Sequence, residues 1–537
     1  MSDDRHGKLS RRNLIKGAGA ALVAAAGGSL GRVSGQVAGS TTGGGTVPLP
    51  LPMGAMTDLD RNEYIHNMEI LAHLPGGGNG ATDGVGSTFW TKGTRRLFLN
   101  GTDITDPREP VIAFEPTRRA RGDLAYVQRL KKWISVGRGG APISAPTPQF
   151  PRGAYDPEYA ARTINYTGLR GFRTFDVTDP TTPDLLQEFS VGTTGGGYHS
   201  GYWEGGRYAY LSMGWDDQLR MESSERPYSD GMMIVDLQDP ASVKEVARWW
   251  VPGQRYGEEE EYKKFVLAGD GSSWTSCHGT FTPTRHEDGG TISYAGMGHF
   301  GMYTLDISDI RNPKPVHRMV HQLEAMGGIP YHTIYQVPNN PAYPRLQNLY
   351  IGVFEALETD CREPWHTSYV IDATDPRAPK IIGLFPRPMP DPAAPYADFC
   401  FARGRFSSHN IQALMAPGAA RPDLIALTYF SAGLRIYDIS DPTQPKEVAY
   451  WVPPATGDIE DWQTWRRRDT SVFIEWDRNL IWVGANNGLY CMSCPFLGEP
   501  VLEPRRVTRW TSPELNAGWD DDTPQAWYFG RGSSQMG

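Results

Sequence analysis

Seven times along the chain an apolar run ends in the same turn. Leu434 to Pro454 reads LRIYDISDPTQPKEVAYWVPP, and its centre, Asp-x-x-Asp-Pro with a second proline three residues on, returns in near copies. These are FDVTDPTTPDLL from Phe175, VDLQDPASVKEV from Val235, LDISDIRNPKPV from Leu305 and IDATDPRAPKII from Ile371. A weaker copy, TDITDPREPVI, starts at Thr102, and LYCMSCPFLGEPV from Leu489 keeps the register with Cys491 and Cys494 in the two Asp positions. Asp bonds nearby backbone N–H groups and Pro presets its own φ, so each copy is a turn. The copies lie roughly 55 to 75 residues apart, the spacing of propeller blades lengthened by loop insertions. The runs around them, such as RYAYLSMG from Arg207 and LIALTYFSAGLRIYDI from Leu424, have the residue types and alternation of paired strands. The expected fold is all-β, a seven-bladed β-propeller of four-stranded antiparallel blades, which disposes of strand edges by closing a ring. In each blade two inner strands precede the turn, a third runs into it, and the PKEVAYW-like segment after it is outermost.

The expected organisation is a twin-arginine signal peptide over 1–38, a Gly/Pro linker over 39–60, the propeller over 61–510 and a loop-like tail over 511–537. SRRNLIKGAGAALVAAAGG, from Ser10 to Gly28, has paired arginines, a following basic residue and a short Ala/Gly run, and it resembles the twin-arginine export signal, with cleavage expected between Gly35 and Ser40. The mature protein is then periplasmic, with the twin-arginine machinery as a transient partner, and that route carries proteins already folded, often with a cofactor. The apolar run is too short to span a membrane, and no span is expected in the mature chain. A net charge of −9 excludes the basic footprint of a nucleic-acid binder. NMEILAHLPGG from Asn67 and PVLEPRRVTRW from Pro500 both suit an outer strand that closes the ring, and the sequence does not rank them. Arg118 to Gly168 reads as an insertion over one face.

The five cysteines are too few for a disulfide framework. Cys361 and Cys400 are a possible pair; Cys491 and Cys494, in turn register, read as a structural or locally disulfide-bonded turn rather than a redox motif.

Four of the twelve histidines share one position. His199 in YHSGYW, His278 in CHGTFT, His332 in YHTIYQ and His409 in SHNIQA each open the inner strand of blades three to six. Blade one has Gly86 there, and blade seven a residue near Asp469 or Thr470. Inner-strand starts surround a propeller's channel, so the four imidazoles are expected to converge on a metal ion. An all-nitrogen set suits copper, iron or zinc rather than magnesium or calcium. Loops returning to the same face bring Asp216, Asp217, His299, Glu355, Glu358, Asp360 and His366, and Glu355, across from His332, is expected to orient that ring and to handle a proton. Trp203, Trp215, Phe300 and Trp365 are candidates either for a pocket wall or for blade packing. Against the metal stands a structural reading in which each histidine is a hydrogen-bonded strut to the neighbouring blade.

GLRIYDISDPTQPKEV and its partners resemble the LVIVD repeat, a propeller-forming element of exported bacterial and archaeal proteins, over about Leu97 to Val501. More distantly, IDATDPRAPK and SHNIQALM followed by GLRIYDISDP are similar to the selenium-binding protein and methanethiol oxidase family, which implies a propeller with a histidine-bound metal, copper in the bacterial oxidase. That family's Cys-x-x-Cys lies early in the chain, whereas Cys491 and Cys494 lie late, so the motif is not carried over. Carotenoid oxygenases, with four histidines on iron in a seven-bladed propeller, offer an architectural analogy. No Gly-rich phosphate loop, nucleophile elbow or zinc helix is present in the sequence.

The expected function is an exported copper- or iron-dependent oxidoreductase or oxygenase, zinc being the other candidate ion, acting on a small organic substrate at His199, His278, His332 and His409 with Glu355. The alternative is a non-catalytic periplasmic platform that binds a protein partner or a glycan.

Overall fold

The computed structural model describes residues 60–76, 88–117, 123–138, 167–216, 230–261, 277–320, 328–356, 360–361, 367–456, 468–511 and 525–528, apart from a few single positions within them. The signal segment, the linker up to residue 59 and the expected cleavage site lie outside these residues, as do Gly86, Asp217, Glu358, Trp365, His366 and Asp469. The side chain of His299 is likewise outside the description.

Seven antiparallel sheets follow one another along the chain as seven blades. Blade six shows the common plan: Ser408–Ile411 is innermost, then Leu424–Tyr429, Gly433–Asp438 and the outer strand Lys446–Val452. The Asp-x-x-Asp-Pro turn joins the last two, and its two carboxylates act in succession. Asp438 Oδ1 accepts the N–H of Ser440 at 2.8 Å, and Asp441 Oδ1 that of Thr443 at 3.1 Å. The same double bonding recurs at Asp306 and Asp309, and at Asp372 and Asp375. Beside the turn the register slips by one residue, Val448 of the outer strand being left over between the partners of Ile436 and Tyr437, and the same slip occurs at matching positions in blades three, four and five, a bulge that adds twist to the outer edge.

Ring closure uses the first of the two candidate segments. Glu69–Leu74 pairs with Gly488–Ser493 as the outer strand of blade seven, and it carries the same slip, between Ile70 and Ala72. Two strands are added to the plan. Tyr64–His66 lies outside Lys446–Val452 in blade six, and Gln525–Tyr528 pairs with Thr88–Lys92 on the inner side of blade one, so part of the expected loop-like tail is a strand. The stretch read as an insertion holds the two inner strands of blade two, Asp123–Val127 and Lys132–Arg138; only its second half, after Arg138, separates these in sequence from the third strand, Gly171–Asp176.

Apolar side chains fill the wedges between blades. Phe89 of blade one stacks on Phe473 of blade seven at 5.0 Å, and Tyr202 of blade three meets Phe281 of blade four at 4.9 Å. Trp203 and Trp215 belong to the core between blades two and three, and Phe300 to that of blades three to five, so all three pack blades. Cys491 and Cys494 are buried free thiols in the core beside blade seven, and Cys361 is bonded to Cys400. No helix among the described residues is long and apolar enough to cross a membrane.

Candidate metal centre

Because the second strand of a blade runs back against the first, residues ending strand two return to the face where strand one starts. His199 lies near the start of Gly197–Tyr202, His278 just before Thr280–Phe281, His332 in Ile329–Gln336 and His409 in Ser408–Ile411. Glu355 ends Leu349–Glu355, the second strand of blade five. All five side chains are buried, with relative exposures of 4% for His199, 1% for His278 and 0% for the rest.

The rings form an arc. Centroids are 4.6 Å apart for His199 and His278, 3.9 Å for His278 and His332, and 5.0 Å for His332 and His409. Within it, donor atoms of His278, His332 and Glu355 all lie within 4.8 Å of one another. His199 and His409 flank this group of three. So close an approach of blade four to blade five needs a residue without a side chain after His278, since a Cβ on Gly279 would stand 2.7 Å from the carbonyl oxygen of His332.

Hydrogen bonds set the tautomers. His278 Nδ1 is 2.9 Å from the carbonyl oxygen of His332, and His199 Nδ1 is 3.2 Å from Asp230 Oδ2. Carbonyl and carboxylate oxygens accept only, so each Nδ1 carries a hydrogen and the neutral ring's lone pair sits on Nε2. His332 Nδ1 lies 2.8 Å from Thr333 Oγ1, while its Nε2 is 3.3 Å from Glu355 Oε2. Burial pushes the His332 imidazole well below its usual range and the neighbouring His278 adds to the effect, outweighing the opposite pull of Glu355. His332 is therefore neutral at pH 7, the form that binds metals.

Glu355 is held from its other side. Arg405, fully buried, donates to Glu355 Oε1 and to the carbonyl oxygen of Ala356, and its guanidinium lies 4.1 Å over the ring of Phe430, which stacks on His409 at 4.4 Å. Oε1 is also 3.9 Å from His409 Nε2. Thus Arg405 offsets the carboxylate's charge while Oε2 faces His332. Asp216, also expected on this face, is occupied in its loop, accepting N–H groups of Thr193 at 2.9 Å and Gly195 at 2.8 Å. Asp360 takes the N–H of Gly404 at 3.0 Å.

Sequence reading missed Arg405 and Asp230. Arg405 stands four residues before His409 in GRFSSHN, which a search for buried counter-charges near the histidines would have found; Asp230 has no signal beyond preceding the third strand of blade three.

The molecule is thus a β-propeller of seven blades that gathers, where its inner strands begin, a buried group able to hold a metal ion. No protein-family model matches the sequence, and no curated protein matches it significantly. Among solved structures the chain is similar to propellers of the WD40 type. The β-propeller domain of Myceliophteria thermophila Cps50 (Swd1) is 11% identical, with 75% of this chain and 93% of that one covered and a TM-score of 0.38. Saccharomyces cerevisiae Sqt1 is 6% identical over 82% of this chain and 99% of that one, with a TM-score of 0.37. The RRP9 WD40 repeats are 9% identical over the same shares, with a TM-score of 0.36. Likeness at this level transfers no residue role.

Proposed function

We propose that this protein is an exported, metal-dependent oxidoreductase or oxygenase of the LVIVD-repeat kind, acting on a small organic molecule in the periplasm. The observation that carries the reading is the set of two buried imidazoles and one buried carboxylate, His278, His332 and Glu355, with donor atoms within 4.8 Å of one another. Two histidines and a carboxylate suit iron(II) or zinc, and the flanking His199 and His409 enlarge the nitrogen share toward copper. Such an ion, when bound, would supply Lewis-acid or redox chemistry. The chain's own residues do the rest. The carbonyl of His332 and the carboxylate of Asp230 hold His278 and His199 with Nε2 as the donor atom. Arg405 holds Glu355 against His332, and core packing keeps bulk water from the cluster. The paired arginines of Ser10 to Gly28 support export.

One observation favours the second reading, a non-catalytic platform. His278 bonds the backbone of the next blade, which is what a structural strut would do. Metal content separates the two. Purified exported protein should carry close to one equivalent of iron, copper or zinc by plasma mass spectrometry, and His278→Ala and His332→Ala should lose it while staying folded by circular dichroism. Metal-free wild-type protein whose histidine variants unfold would leave only the strut. Bound zinc without oxygen consumption would turn the reading toward a hydrolase.

A further inference from the structure

We propose that the Cys361–Cys400 disulfide is a reducible clasp that controls access to the imidazole cluster. It is the one cross-link among five cysteines, the other three being buried free thiols, and its two half-cystines lie beside described residues that bond to the site. Asp360 and Cys361 follow Glu355 in the chain; Cys400 precedes Gly404, Arg405 and Ser407 at the entry to blade six. From the site outward, Arg405 grips Glu355 and the carbonyl oxygen of Ala356, and the N–H of Ala356 donates to Ser407 Oγ at 2.7 Å. Next, Asp360 N–H donates to the Gly404 carbonyl at 2.7 Å and Gly404 N–H to Asp360 Oδ1 at 3.0 Å. The disulfide closes the outer end. Its removal returns chain freedom to a loop whose ends are 39 residues apart, which raises the share of molecules in which this ladder has opened locally.

The two sulfurs are unequal, and the inequality makes the bond reducible in one direction of attack. Cys361 is partly exposed, whereas Cys400 is 2% exposed and its Sγ lies 3.2 Å from an Arg387 nitrogen. Arg387 is itself held by Asp398, whose carboxylate also accepts the N–H of Cys400 at 2.8 Å. The thiolate of a small dithiol attacks Cys361 Sγ, the S–S bond breaks, and Cys400 leaves with the electron pair as a thiolate beside the guanidinium. The second thiol of the reagent then attacks the mixed disulfide, releasing reduced Cys361 and the oxidised cyclic reagent; two electrons pass to the protein. A cation next to the departing sulfur lowers its basicity and speeds this step.

Modification of histidines by diethyl pyrocarbonate, read by peptide mass spectrometry on the full-length protein in EDTA, tests the clasp. Treatment with dithiothreitol should raise the labelling rates of His332 and His409 by about tenfold while exposed His73 is unchanged. The Cys361→Ser/Cys400→Ser double variant should match the reduced protein without reductant. Arg387→Gln should slow reduction by dithiothreitol roughly threefold or more. Equal labelling of His332 and His409 in the oxidised and reduced forms would overturn the proposal, and so would a rise at all histidines together, which would make the disulfide a staple of the whole fold. Because the readout is imidazole access in chelator, a failure to bind metal would sink the enzyme reading and leave this one to stand or fall on the labelling.

Discussion

Among the described residues two carboxylates, those of Glu355 and Glu475, are wholly buried at blade junctions, and they are satisfied in opposite ways. Glu475 ends the inner strand of blade seven, Thr470–Glu475, and faces blade one. It accepts from Arg96 Nη1 at 2.5 Å, Arg478 Nε at 3.1 Å and Nη2 at 2.6 Å, and Trp482 Nε1 at 2.7 Å. Arg96 in turn grips Asp477, and Arg478 reaches the carbonyl oxygens of Ile104 and Thr105, so the cluster rivets the last blade to the first. Glu355, at the junction of blades five and six, has one guanidinium and two imidazoles. Burial alone therefore does not tell the two acids apart. What their oxygens face does: three cationic or indole groups leave Glu475 nothing to exchange, whereas an imidazole opposite Glu355 Oε2 is a partner that a metal ion can share.

The largest effect expected from breaking that contrast is at Glu475. Glu475→Ala strands two buried guanidiniums, and a broken buried ion cluster costs about 3–5 kcal/mol. Urea unfolding should show a loss of that size with no change in metal per folded protein. A loss under about 1 kcal/mol would mean that the junction is held by its aromatic packing instead. Glu355→Gln should do the reverse. It keeps an oxygen for Arg405, so the stability loss should be smaller, about 1–3 kcal/mol. Affinity for added iron(II) or zinc, measured by competition with a chromogenic chelator, should fall by about 10- to 100-fold. Unchanged affinity would make Glu355 a second rivet rather than part of a site.

Acid should separate the two variants further. Although burial by itself would raise the Glu475 carboxyl, Arg478 and Arg96, together with the bonds from Trp482 and Arg96, hold it below the usual glutamate range. Its folded value thus lies below its unfolded value of about 4.3, and the unfolded chain binds the extra proton between the two. The stability it contributes is complete above pH about 4.3 and is lost as pH falls through the folded value. The deficit of Glu475→Gln relative to wild type should accordingly be constant from pH 5 to 7 and shrink below about pH 4, by up to about 1.4 kcal/mol per pH unit. A deficit that stays level down to pH 3 would show that folding leaves the carboxyl's affinity for its proton unshifted.

Much of the fold could be read because the turn chemistry is local. An aspartate that bonds the N–H two residues on, followed by proline, specifies its conformation without help from distant residues, so seven copies gave seven blades. The strands Tyr64–His66 and Gln525–Tyr528 were not legible: each attaches to a sheet edge offered by residues hundreds of positions away, and short segments of this kind have no period of their own. Asp123–Val127 and Lys132–Arg138 were passed over because the Gly-, Pro- and Arg-rich surroundings masked two short strands. At the site, the shared register of His199, His278, His332 and His409 was visible since inner-strand starts repeat with the blade. Glu355 followed from its hairpin with His332. The contacts of Arg405 and Asp230 did not: Arg405 stands near His409 in the chain but grips Glu355 across a blade boundary, and Asp230 meets His199 within blade three from 31 positions away, so neither contact leaves a spacing in the sequence.

The smallest effect is expected where the same functional group sits in the repeat turn. Asp438 caps the N–H of Ser440 at 2.8 Å on the face where inner strands end, away from the histidines. Asp438→Ala removes a bond of the helix-cap type, worth about 1 kcal/mol, and leaves no buried charge behind. Denaturant midpoints should therefore fall modestly, with metal affinity and histidine labelling unchanged. Loss of metal in this variant would couple the turn face to the histidine face through the ring, and Glu355 would then owe its position to blade geometry as a whole rather than to Arg405.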